Sequence, residues 1–441
     1  MSVLRLREVS RREALLAALG AASWRAGAQV TAVQDPTPWA VRAVPAGEPM
    51  RQLHAGGPSG LLGTGAGGSL WALSLTGKAP RRIADGIDPA TPIATGHRRI
   101  AARRADGGLW VWEDASGGGR AITLPQANLS VHAGLLILPL AVVAVVSMGA
   151  QQADPFGHRL ARFEPDQAGR WHEVARSKDA VLPDARPLQV DLDGRGDGGH
   201  IAMLAGPDGT RYDHGVLGDA LEATRVLWLE RHGLEVLREL SLPAPHVFED
   251  IAPRPWMLPG ARSGHGLLTV RSGPEGAQLA LVTADPARPN ALRMAALGDT
   301  VGGFRRWLAP TTDGRHLVAV HTPHIGGVLH VYQQEGERLT RRRLVGDVST
   351  HRIGTRETDL AAWLHGLLVL PSQDGRRLRR LNPAADWAEM PAVTLPGRVS
   401  ATTTLTELGA LALLLDDGQV VRVGPTARAP SRGRELPSLS T

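Results

Sequence analysis

The chain has 441 residues, enough for one large domain or two or three smaller ones, and its 52 glycines, 32 prolines and 4% aromatic residues favour many short strands over long helices. The net charge of +6 is an arginine charge, since Lys78 and Lys178 are the only lysines; it is spread along the chain with no basic run interleaved with aromatics, which argues against a nucleic-acid partner. The absence of cysteine excludes a disulfide, a cysteinyl metal site and a thiol nucleophile.

The segment Ser10-Arg11-Arg12-Glu13-Ala14-Leu15-Leu16 resembles a twin-arginine export motif. A weakly apolar run to Trp24 follows, then Arg25 and the small residues Ala26-Gly27-Ala28. Residues 1–28 are therefore expected to be a signal peptide and the mature chain periplasmic. The apolar run is too short to span a bilayer. Cleavage after Ala28 removes five arginines and two glutamates and lowers the net charge from +6 to +3.

From residue 61 onward the chain repeats a short apolar strand, a Gly/Asp-bearing turn and a second apolar strand. The units begin near Leu61, Ile100, Leu135, Ile201, Leu267, Leu317, Leu367 and Leu411. A spacing centred near 50 residues is of propeller-blade length. The prediction is an all-β chain, a β-propeller of about eight blades, alternatively seven, over residues 29–426. In the second unit Leu109 and Val111 alternate with Trp110 and Trp112, so both strand faces are apolar. That fits an inner blade strand packed against both neighbouring blades. Residues 133–150 carry no charge and reach membrane-span length. Pro139 and the register of the third repeat favour two buried strands instead. Residues 226–240 read as a hairpin turning at His232-Gly233, or as a helix. The Pro/Arg/Ser-rich tail, 427–441, is expected to be disordered.

The loop Asp191-Leu192-Asp193-Gly194-Arg195-Gly196-Asp197-Gly198-Gly199 precedes the apolar run Ile201–Ala205. Carboxylates on alternate residues of a glycine-turned loop can converge on a hard cation, with glycines supplying the positive φ that such wrapping needs. The loop resembles the calcium loop of FG-GAP/VCBS repeats, whose pattern is close to D-x-D-G-D-G-x-x-D. Segments 212–219, 247–253, 306–310, 322–327 and 351–357 also resemble exported bacterial proteins of that family. The resemblance implies a propeller blade and candidate calcium ligands Asp191, Asp193 and Asp197. Arg195 and Gly199 stand where the family has carboxylates, so the reading is one weak or lost calcium site, with Arg195 in the ion's place as the other outcome. The later blades have lost most of their carboxylates.

His321, His324 and His330 gather around one predicted hairpin without a strong metal-ligand spacing. His351, Arg352, Arg356 and Glu357 follow one unit later. Equivalent loops of adjacent blades meet at one propeller face, so His324, His351, Arg356 and Glu357 are candidate ligand residues with Asp219 and Glu249. Arg356 can hold a carboxylate or phosphate bidentately; a network of inter-blade salt bridges is the competing reading. The sequence contains no G-x-S-x-G, G-x-x-x-x-G-K-[ST], H-E-x-x-H or C-x-x-C-H motif. The expected function is an exported module that binds a protein partner or small ligand, without an integral membrane span after cleavage. The alternatives are a periplasmic enzyme (hydrolase, lyase or redox) with a polar site on one propeller face, and a structural module of an envelope complex.

Overall fold

The computed structural model describes residues 38–56, 60–115, 118–149, 156–258 and 264–426. The expected signal segment and the C-terminal tail lie outside these residues. The described chain is strands joined by turns, with four short 3₁₀ turns. The strands form eight successive antiparallel sheets of four. The first seven cover residues 50–84, 94–124, 135–176, 188–241, 254–298, 308–343 and 362–394. The eighth takes its first three strands from 399–425 and its fourth from the other end of the chain, where Trp39–Val44 pairs with Val420–Pro425. First strands of neighbouring sheets touch at most of the seams, which places them around a common axis. This is an eight-bladed β-propeller, each blade running outward from strand a to strand d.

The core sits between the blades. Residues 141–147 (AVVAVVS) form strand b of blade 3, and all seven are buried. Val142, Ala144 and Val146 pack towards blade 2, while Ala141, Val143 and Val145 pack towards blade 4. Each strand face meets a different neighbour, so the run is continuously apolar without entering a membrane. The preference for two strands over a span is met: Leu135–Leu138 and Ala141–Ser147 are adjacent antiparallel strands. Leu109 and Val111 face blade 3, and Trp110 and Trp112 face blade 1. Their strand is c, one place further out than an inner strand. Full burial of each such side chain contributes about 1.5–3 kcal/mol. Residues 222–241 form the hairpin, with Glu222–Leu229 paired to Val236–Ser241.

Alternating strand direction sorts the connections onto two faces. The a–b and c–d turns share one face; the b–c turns and the d–a links between blades share the other. The extra strand Val247–Phe248 lies in the link from blade 4 to blade 5 and pairs with strands of both. It carries the chain directly into the buried pair Glu249 and Asp250.

Candidate functional site

All six candidate ligand residues lie on the face of b–c turns and d–a links. The link from blade 6 to blade 7, residues 344–361, reaches across the axis to blade 4. Gly354 N donates to Val216 O at 2.9 Å, and Arg186 Nη2 donates to Arg356 O at 2.8 Å. Arg356 Nε donates to Asp184 Oδ2 at 2.7 Å, and its Nη2 donates to Asp219 Oδ2. Asp184 comes from the link between blades 3 and 4, and Asp219 from the b–c connection of blade 4. Burial and then the Asp219 charge push the Asp184 carboxyl up, while the Arg356 charge opposes them. Gly218 has φ of +103°, and a Cβ there would stand 2.8 Å from an Arg356 guanidinium nitrogen. Arg356 is thus engaged by two carboxylates of its own chain. The inter-blade salt-bridge reading holds for it.

The histidines separate. His321 Nε2 meets Tyr332 Oη at 2.6 Å, and its ring stacks on His330 at 3.9 Å. His324 instead meets His351, Nε2 to Nδ1, at 2.8 Å. The far nitrogen of His351 lies 2.7 Å from Thr355 O, where it donates. Trp307 stacks on His324 and meets His351 edge-on, and its indole N–H donates to Glu249 O at 3.0 Å. Burial holds His321 down at about 3, with the His330 charge adding to it. Burial likewise holds His324 and His351 at about 4 each. All three are neutral at neutral pH. The Glu249 carboxylate is engaged by His214 Nδ1 at 2.5 Å and by the Ser272 hydroxyl. Burial raises Glu249 more than the His214 contact lowers it. Buried Glu222 on strand c of blade 4 is raised well above its ordinary range, first by burial and then by Glu249, Asp219, Asp184 and Asp250.

Glu357 stands apart from these pairs. It lines a cavity of about 480 Å³ at the axis, with strand a of blades 1 and 8 on the far wall. Burial pushes its carboxyl up to about 7, against the Arg186 charge, which lowers it. Arg186 lines the same cavity and has no carboxylate in salt-bridge range among the described residues. His54, from strand a of blade 1, is held at about 3 by burial and by Arg186. The expected single pocket is therefore two arrangements. Asp219 and Glu249 are consumed by internal contacts, His324 and His351 pair with each other, and Glu357 faces a cavity whose cation is Arg186. The sequence carried no sign of Arg186 or His54. They are an isolated arginine between Ala185 and Pro187 and a histidine in a polar strand.

On the opposite face, the a–b turn of blade 4 holds Asp191, Asp193 and Asp197. Gly194, Gly196, Gly198 and Gly199 all have positive φ, as expected. A Cβ on Gly199 would come within 2.4 Å of the Val190 carbonyl carbon. Asp191 accepts from Gly194 N at 2.7 Å and Gly196 N at 2.9 Å, one on each oxygen. Burial raises Asp191, but these backbone donors and the neighbouring Asp193 lower it overall. Asp193 pairs with Arg195 at 3.1 Å. Arg231, from the c–d turn of the same blade, donates to Asp197 O at 2.7 Å and Gly199 O at 2.9 Å. Arg195 thus meets one of the three loop carboxylates, and Arg231 meets backbone carbonyls of the loop. Among the described residues no group of three or more His, Asp or Glu side chains is arranged to hold a metal ion.

No family model and no curated protein matches the sequence. Solved structures of similar fold include BamB from Moraxella catarrhalis, at 13% identity and TM-score 0.53 over 88% of this chain and 99% of that one. Sqt1 from Saccharomyces cerevisiae gives 11% identity and TM-score 0.54 over 89% and 98%. The computationally designed Ika8 protein gives 12% and 0.52 over 87% and 98%. These likenesses bear on the fold, and with the eight sheets they make the chain a β-propeller.

Proposed function

We propose that the chain is an exported propeller of FG-GAP/VCBS type that acts as a binding module for a protein partner, through the face of b–c turns and d–a links. The observation that carries this reading is an exposed apolar group on that face. Phe304, Ile325 and Ile353 are each more than half exposed. Their loops are stitched together by the Trp307–His324–His351 contacts, so they are presented on one framed surface. Arg306 and Arg352 stand beside them, exposed and without a carboxylate in salt-bridge range among the described residues. Apolar residues framed by arginine have the composition of an interaction surface. The fold by itself does not assign a function.

The glycine-turned Asp191 loop supports the family assignment. Its calcium affinity is proposed to be no tighter than the roughly 10⁻⁴–10⁻³ M of extracellular modules, because Arg195 and Gly199 stand where the family pattern has carboxylates and Arg195 pairs with Asp193. No helix among the described residues is long and apolar enough to cross a membrane. Periplasmic location is tested by fractionating cells that carry an Arg11→Lys, Arg12→Lys double variant, in which export should fail. The interaction surface is tested by placing a photo-crosslinking residue at Phe304 or Ile353 and, as a control, at Val174 on an outer strand. A discrete adduct from the first two sites and none from Val174 is expected. The same adducts from all three sites, or none, would remove the assignment.

A further inference from the structure

The cavity at the axis presents a cation, Arg186, that meets no carboxylate within salt-bridge range among the described residues. Arg186 is held from behind: its Nη2 donates to Arg356 O and its backbone N donates to Ile251 O. Gly134 packs so closely that a Cβ there would fall 2.7 Å from Arg186 Cα and Cγ. The guanidinium is therefore fixed in place. Its Nε is buried and donates to no acceptor, while on the facing strand Nε2 of His54 has no hydrogen-bond partner and Oε1 of Gln52 has no donor. Native proteins seldom leave such atoms unsatisfied. His54 is uncharged, and Arg356 is neutralised by Asp184 and Asp219. Of the enclosed groups, Arg186 supplies the positive charge and Glu357 alone opposes it.

We propose that this cavity binds a small organic anion, seated through an oxyanion group on Arg186 and covered by the 352–357 segment. A volume of about 480 Å³ lies within the usual range of small-molecule sites. A planar guanidinium matches a carboxylate or phosphate edge and gives charge-assisted hydrogen bonds. Arg51 and Arg352, exposed at the rim, extend the attraction outward.

Binding is coupled to a proton. The charged groups facing Glu357 are Arg186, Arg352 and Asp359. His54 and His132 stand further round the wall, and Asp416 is at the rim. An anion on Arg186 withdraws the charge that favours ionised Glu357 and adds one that disfavours it, so the complex takes up a proton. Affinity is greatest below pH 7, where Glu357 is neutral, and falls as pH rises through 7. This site stands on Arg186 and is independent of partner docking at Phe304.

The test is calorimetric titration of the folded protein with acetate, succinate, citrate and inorganic phosphate at pH 6 and 8.5. At least one is expected to bind with 1:1 saturation and to weaken about tenfold at the higher pH. Carboxylates without phosphate would mark the ligand as a carboxylic acid, and phosphate alone as a phosphate ester; either supports the site. Arg186→Gln should weaken binding at least tenfold, and Glu357→Gln should retain it while losing the pH response. Should Arg186→Gln not fold, Arg186→Lys, which keeps the charge without the fork, should weaken binding several-fold. No saturable binding of any probe, or binding indifferent to Arg186, overturns the proposal. A full pH response in Glu357→Gln overturns the proton coupling.

Discussion

Arg356 and Asp184 are 172 residues apart in the chain and 2.7 Å apart in space. With Asp219 they bind the link between blades 6 and 7 to blade 4 across the axis. Removing one partner of such a cluster leaves the others buried without compensation. Arg356→Met is expected to cost about 3 kcal/mol in denaturant unfolding. Asp184→Asn in the same background should recover part of the loss, and a double-mutant cycle reads the coupling directly.

The buried histidines set an acid limit. His324 and His351 are held at about 4, below an unfolded value near 6.5. Between these values the unfolded chain binds more protons, so their contribution is lost progressively as pH falls from 6.5 towards 4. A His324→Asn variant should gain thermal stability relative to the parent over that window. The comparison is made by unfolding both proteins at pH 7.5 and pH 4.5.

Glu222 has the opposite sign. Its carboxyl is raised, so the native state retains a proton that the unfolded state releases above its ordinary value near 4.5. Stability is therefore lost as pH rises through the folded value. Glu222→Gln removes a group that would have to ionise, as pH rises, near four other acids. Its stability relative to the parent should rise from pH 5 to pH 9 in parallel urea titrations.

At the Asp191 loop, changing from excess chelator to millimolar calcium should move the thermal midpoint by no more than about 2 °C, since a ligand near its dissociation constant stabilises little. Arg195→Asp places a carboxylate where the proposed FG-GAP/VCBS pattern has one and removes the charge paired with Asp193. That variant should show a clearly larger calcium-dependent shift.

The repeat could be read from the sequence because most of its units are one structural piece. The units at Leu61, Ile100, Leu267, Leu317, Leu367 and Leu411 are b–c hairpins, whose faces pack on two neighbouring blades. Such strands are apolar on both sides and stand out. The outer strands do not: Arg338–Arg343 reads RLTRRR and is half-exposed or exposed everywhere but at Leu339. The unit at Leu135 begins one strand early, because blade 3 has an apolar strand a. The site was legible only as a face. His324, His351, Arg356 and Glu357 stood out as polar residues in turn-rich segments. Which of them were already satisfied depended on Asp184, Trp307 and Arg186, brought in by links from other blades.

The clasp between Trp39–Val44 and Val420–Pro425 has a consequence for synthesis. The last sheet needs strands from both ends of the described chain, so the ring stays open until residue 425 has left the ribosome. Until then Leu61, Leu405 and Leu414, which share one apolar cluster across the seam, have no common interior. A nascent chain that stops at blade 7 presents two uncovered sheet faces to its surroundings. The interval between translating residues 394 and 425 is when holding factors that shield apolar surface have most to do.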